Sequence, residues 1–318
     1  MAPLCHLSLW SAILPLQTWH SCVLETRTHS AQATCINVDF WENLIFSTGH
    51  SCSKVCLLQI IREEVKVYDF FRHFKGNFKG RRYDSAVPPV CVFPNSPSCC
   101  HFCNFINSTV LDWVSQAVIK VHGAVGVCSP PHLVLPLTVE PTKPRLCHDE
   151  CFLNLWTRDL PCKLDHLPDL PHYVLPGHFQ TTFDDKNGSQ HLNIHPDFQG
   201  FFSFSWRGYY FSFCTLHFGW KASTFLYHNF GLVVTSAARS LGVPVSQYID
   251  DRHVDQLFSS DLAVYQPCRQ LALAAAFILL SLLVSAGYFI NLEKSSPLPS
   301  TSGFYLRFHF TSLFGPSR

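Results

Sequence analysis

From about residue 104 onward, short apolar runs alternate with turns rich in proline, glycine and aspartate. HLVLPLTVE (132–140) and FQTTFDD (179–185) carry the β-branched and aromatic content of strands, and FFSFSWRGYYFSFCTL (201–216) reads as a hairpin turning at Arg207 and Gly208. ASTFLYHNFGLVVTSAARSLG (222–242) is apolar at helical spacing and closes with Gly242 before Pro244. Strands and helices interleave irregularly, which predicts an α+β fold. Residues 1 to about 98 show no sustained period. They hold a basic patch, FRHFKGNFKGRRYD (71–84), and end in the turn-rich VFPNSPSCC.

The apolar pattern peaks at Leu271–Ile290, LALAAAFILLSLLVSAGYFI, 20 residues without a charge. That length spans a bilayer. Gly287 followed by YFINLEKS instead reads as a buried helix ending at a glycine and passing into a strand. The N-terminal MAPLCHLSLWSAILPLQTWHSC lacks a basic leader region and is interrupted by Pro15, so no signal peptide is expected.

With 47% apolar residues in 318, the chain has material for a sizeable core. Its 23 basic and 22 acidic residues give no overall basic field of the kind that marks a nucleic-acid binder, so any such contact rests on local clusters. A charge run such as Arg81–Arg82 is ordinarily a solvated face. Fifteen cysteines, an odd number, are expected to be free thiols of a reducing compartment, which places the chain inside the cell, in cytoplasm or nucleus. Cys52 and Cys56, and Cys99, Cys100, His101 and Cys103, offer zinc-type ligands at spacings that match no strong zinc pattern. The 18 histidines show no paired metal spacing along the chain.

SQYIDDRH (246–253) sets Asp250 beside Asp251, a like-charged pair that is costly to desolvate unless a cation compensates it. Alternation along a strand puts Tyr248 and Asp250 on one face and buries Ile249 beneath the sheet, with Asp251 in the turn. Asp184 ends the apolar TTFD in the same manner, 66 residues earlier. Strand-end carboxylates brought side by side form a hard oxygen cluster suited to Mg²⁺. Two such ions about 4 Å apart serve in-line phosphoryl transfer.

YIDD at 248–251 resembles the tyrosine, any residue, aspartate, aspartate box of reverse transcriptases. KPRLCHDECFLN (143–154), FDDKNGSQHLNI (183–194), LHFGWKAS (216–223) and GYFINLEKS (287–295) resemble the other boxes, in the expected order. PPHLVLPLTVEPTKPRLCHDE, FSWRGYYF and SLGVPVSQYIDDRH resemble in particular the enzyme of DIRS-like retrotransposons, over roughly residues 104–305. The resemblance implies a right-hand polymerase of fingers and palm with an antiparallel palm sheet, preceded by an N-terminal region (1–103) and followed by a tail (306–318) with no thumb.

It implies an RNA-directed DNA polymerase that uses two Mg²⁺ ions, with Mn²⁺ as the alternative, a primed RNA or DNA template and deoxynucleoside triphosphates. No stable protein partner is expected, and residues 271–290 become a palm helix rather than a membrane span. Asp184, Asp250 and Asp251 would bind the metals, with the backbone of Asp185 helping. Arg145 would contact the incoming triphosphate, Phe218 and Gly219 would lie beside the nucleotide sugar and template base, and Lys294 would stand near the triphosphate.

Ser189 stands where the family carries a bulky aromatic that blocks a ribose 2′-hydroxyl. Cys151 replaces a basic or polar residue, His217 replaces the proline of LPFG, and Thr224 departs from a small residue or proline. These departures keep a second reading open: a catalytically inactive remnant that binds nucleic acid at most, or associates with membranes through 271–290.

Overall fold

The computed structural model describes residues 37–48, 53–186, 188–258 and 267–313; residues 1–22, read above against a signal peptide, and Cys52 lie outside them. In chain order the elements are helices α1 (Val38–Ser47) and α2 (Ser53–Glu63), strands β1 (Phe74–Phe78), β2 (Arg81–Ser85) and β3 (Cys91–Val92), and helix α3 (Cys103–Ser115). Strands β4 (Ile119–Ala124), β5 (Leu133–Val134), β6 (Leu137–Glu140) and β7 (Arg145–His148) lead to the single turn α4 (Cys151–Asn154). Next come β8 (Gln180–Asp184), β9 (Ser203–Trp206), β10 (Tyr209–Phe213), α5 (Lys221–Ser240), β11 (Val245–Tyr248) and β12 (Asp251–Asp255). The last are α6 (Arg269–Ser285), β13 (Ser296–Ser300), β14 (Ser302–Tyr305) and β15 (Phe308–Thr311).

The chain forms two compact units, one from Ala31–Lys163 with Asn187–Gly231, the other from Leu164–Lys186 with Leu232 onward. In the first unit a five-stranded sheet runs in the order β3-β5-β9-β10-β4, with β3, β5 and β9 parallel and β9, β10 and β4 antiparallel. The hairpin expected at 201–216 is β9–β10, its turn made by Arg207 (φ 50°) and Gly208 (φ 80°), the positive pair that a two-residue hairpin needs. The strand expected at 132–140 is split into β5 and β6 around Pro136, since proline has no N–H for a ladder.

The stretch before residue 98 is more regular than its pattern suggests. Helix α1 is capped by Asn37, whose Oδ1 accepts from Phe40 N at 3.0 Å, and buries Trp41, Leu44 and Ile45. The basic patch is the hairpin β1–β2, turned by Lys79 and Gly80, both at positive φ. Its cations lie at the surface. Phe74 and Tyr83 pack on Trp156, and Phe78 on Phe152, at centroid distances of 4.9–5.5 Å. Aromatic rings of this size each bury roughly 150–250 Å² and dominate the core they enter.

In the second unit β11, β12, β8 and β13 form a fully antiparallel sheet in that order. Helix α6 lies against β12, β13 and β8. It buries Ala272, Ala275, Ala276, Leu279, Leu280 and Leu283, an i, i+3, i+4, i+7 stripe, and the run of alanines permits close approach. Tyr288 N donates to Leu283 O and Gly287 N to Val284 O, both at 2.9 Å, closing the helix with Gly287 at φ 85° as its left-handed cap. No helix among the described residues is long and apolar enough to cross a membrane.

The strand expected from YFINLEKS is mostly a turn. Ile290 makes an isolated bridge to Asp185, Asn291–Lys294 turn back, and the strand proper begins at Ser296. That turn brings the Ser295 hydroxyl to accept from Asp184 N at 3.0 Å.

Candidate active site

Val245–Tyr248 and Asp251–Asp255 form a hairpin whose two loop residues are Ile249 and Asp250. The sequence pattern had placed Asp250 in a strand and Asp251 in the turn; the structure reverses them. Tyr248 pairs with Asp251, so the first aspartate sits in the loop and the second opens β12. Ile249 is only half-buried and adopts φ 57°. A β-branched residue in the left-handed region is strained, and such strain collects where backbone geometry serves a site. Replacing Ile249 with asparagine, which tolerates that region, is expected to stabilise the chain by about 1 kcal/mol in chemical denaturation.

Register does the rest. Asp251 lies directly opposite Asp184 across the β12–β8 pair, and Asp185 N donates to Asp250 O at 3.0 Å, which fastens the loop to the end of β8. Like charges directly opposite in a sheet are destabilising. Burial, with the neighbouring carboxylates of Asp185 and Asp184 adding to it, pushes the Asp250 carboxyl above its ordinary range. Burial together with Asp250 and Asp184 raises Asp251 to about 6. Lys294 Nζ, on an exposed side chain, stands 3.4 Å from Asp184 Oδ1. Asn291 N donates to Asp184 O at 2.8 Å, so the turn carrying Lys294 is itself tied to the strand end.

Asp185 behaves differently from its neighbours. Its carboxylate is fully buried and accepts from Arg252 Nη1 at 2.5 Å, and the Arg252 guanidinium lies 5.2 Å from the Tyr288 ring. Arg252 therefore takes the side chain of Asp185, and what Asp185 offers a metal is its main chain. Asp184, Asp250 and Asp251 are left as three half-buried residues that the register places at one end of the sheet, although among the described residues their carboxylate oxygens do not gather as closely as a metal-ligand group requires. Hard carboxylate oxygens of this kind are of the type that suits Mg²⁺, which would offset the repulsion between them.

Arg145, Ser189, Phe218 and Gly219 belong to the five-stranded unit. Arg145 is exposed at the start of β7, opposite Glu140 in the register. Ser189 is buried in the short turn Gly188–His191. Phe218 is 65% exposed. Gly219 sits at φ 123°, and a Cβ there would meet His148 O at 2.7 Å. Among the described residues, the cysteines around 99–103 gather no metal-ligand group; His148, Glu150 and His217 do. The chain pattern did not show this trio, because His217 lies 69 residues from His148. The visible signal was the histidine in place of proline at 217.

No family model and no curated protein matches the sequence. Among solved structures the chain is similar to a foamy viral protease-reverse transcriptase in complex with an RNA/DNA hybrid, at TM-score 0.57 and 18% identity over 86% of this chain and 35% of that one. It is also similar to the foamy viral protease-reverse transcriptase in complex with double-stranded DNA (TM-score 0.55, 19% identity, 86% and 54% covered) and to the native prototype foamy virus protease-reverse transcriptase (0.53, 18%, 94% and 35%). The chain spans about a third to a half of the length of these proteins. The mixed α+β architecture is that of a reverse-transcriptase-like fold.

Proposed function

We propose that the chain is an RNA-directed DNA polymerase domain of the DIRS-like retrotransposon type, with the fingers and palm of a right-hand polymerase, working inside the cell on a primed RNA or DNA template. The observation that carries this reading is the β8–β12 register that sets Asp251 opposite Asp184, with Asp250 in the adjoining Ile249–Asp250 loop and Lys294 beside Asp184. Bound Mg²⁺, or Mn²⁺ in its place, would supply charge neutralisation for the attacking primer 3′-hydroxyl and the leaving pyrophosphate.

Asp184, Asp250 and Asp251 hold the ions, with the main chain of Asp185 beside them. Lys294 is the proton donor to the pyrophosphate. Arg145 grips the triphosphate with a forked, permanently charged donor. Phe218 and Gly219 flank the nucleotide sugar and template base, and Ser189, small where a bulky ring would exclude a 2′-hydroxyl, weakens sugar discrimination. The likeness to proteins solved with RNA/DNA hybrid and double-stranded DNA supports a nucleic-acid partner.

Extension of oligo-dT on poly-rA by the purified chain, with Mg²⁺ and with Mn²⁺, tests the reading against the Asp250→Asn, Asp251→Asn double variant. Extension by the parent alone is expected. A folded parent that extends nothing under either ion leaves the inactive-remnant reading.

A further inference from the structure

His148, Glu150 and His217 form a buried cluster in the five-stranded unit that the polymerase reading leaves unused. Their side chains are 0–6% exposed. His148 closes β7, Glu150 precedes α4, and His217 follows β10. His148 Nε2 lies 3.1 Å from Ser203 O, a carbonyl that only accepts, so Nε2 carries the proton. His148 Nδ1, the other ring nitrogen, lies 3.0 Å from both Glu150 Oε1 and His217 Nε2. His217 Nε2 also contacts Glu150 Oε1. Three ligand-type atoms thus gather at one buried point, and Glu150 Oε2 and His217 Nδ1 are enclosed without a hydrogen-bond partner.

Metal-binding histidines are commonly oriented by donating the other ring N–H to a carbonyl, as His148 does. Tetrahedral Zn²⁺ at its usual bond lengths sets ligand atoms about 3.3 Å apart, a few tenths of an ångström wider than the two 3.0 Å spacings here, while Glu150 Oε1 and His217 Nε2 lie closer and must move apart to admit an ion. Phe213 stacks on His217 at 3.9 Å and Phe202 meets its edge, which makes the wall around the trio apolar.

We propose that His148 Nδ1, Glu150 and His217 Nε2 bind one divalent transition-metal ion, Zn²⁺ by the chemistry of two imidazoles and a carboxylate. The second oxygen of Glu150 completes the donor set. The ion is structural: it joins residues 148–150 to residues 217–219, segments that Asn154 already bridges through Gly219 O (2.7 Å) and Lys221 N (2.9 Å). Proline at 217 provides no ligand, so the histidine there creates the site.

The test uses the full chain with Asp250→Asn and Asp251→Asn, which removes the acidic cluster as a competing site. After dialysis against chelator and reloading with Zn²⁺ or Co²⁺, this protein is expected to retain one equivalent of metal. The Co²⁺ form should show the visible bands of a low-coordinate nitrogen and oxygen site without thiolate charge transfer, and Zn²⁺ should raise the melting temperature. Adding Glu150→Gln or His217→Gln, or His217→Pro as a second replacement, should cut retained metal at least tenfold and abolish the thermal shift. No retained metal in the folded parent overturns the proposal, as does retention unchanged in folded ligand variants or a thiolate band that places the ion on cysteines.

Discussion

Arg252→Met is expected to lower the unfolding free energy by about 3–5 kcal/mol, because it leaves the Asp185 carboxylate buried with its charge partner removed. Both side chains of the pair are fully enclosed, and Asp185 N also holds the Asp250 loop. Domains of ordinary stability have roughly 5–15 kcal/mol in all, so the loss is a large fraction of the total. The loss comes from the stranded charge rather than from the pair's net worth. The Arg252→Met, Asp185→Leu double variant should therefore recover most of it, as apolar replacements of buried pairs do. Urea denaturation of the parent, the single and the double variant measures this. A loss below about 1 kcal/mol in the single variant would mean that water reaches the pair.

Asp251→Asn should act on stability and activity in opposite directions. In the folded chain the Asp251 carboxyl is raised from 3.8 to about 6, with burial the largest cause. Between those values the folded state binds more protons than the unfolded one, so stability falls as pH rises through the window. Above pH 6 the ionised, half-buried group costs roughly 1–2 kcal/mol once solvent screening is allowed for. Metal-free Asp251→Asn should accordingly melt higher than the parent at pH 7.5 and no higher at pH 4. Mg²⁺ should stabilise the parent at pH 7.5 and have little effect on the variant. Asp255, raised to about 6 by burial against the opposing pull of His178, titrates in the same window and leaves some pH dependence in the variant. Thermal melts of parent and variant across pH, with and without Mg²⁺, provide the check, read as the difference between the two because His253, pushed down to about 3 by burial, adds to both a stability that rises with pH; a metal-free variant that melts no higher than the parent at pH 7.5 would contradict the account.

What was legible in the chain was what local chemistry dictates. The β9–β10 hairpin, helix α5 and strand β8 follow from short-range pattern, and Asp184 at the strand's end follows with them. The roles of Asp250 and Asp251 were interchanged because alternation along a strand cannot foresee a positive φ at Ile249, which moves the turn one residue toward the N-terminus. The β1–β2 hairpin hid behind lysines and arginines, its turn carried by Lys79 and Gly80 rather than by an asparagine-glycine pair. Arg252, read only as part of a box, proved to be the partner that takes Asp185 out of the carboxylate set. The His148–Glu150–His217 trio depends on tertiary packing of two distant segments, and no spacing rule reaches it.

Single-turnover addition of one deoxynucleotide, with the chain in excess over a primed template, tests the acidic centre most directly because it separates chemistry from the ability to hold a long duplex. The account predicts a primer longer by one nucleotide in the presence of Mg²⁺ or Mn²⁺, and none with Asp250→Asn or without a divalent ion. Equal product from the parent and Asp250→Asn, or none from a folded parent under either ion, would contradict it.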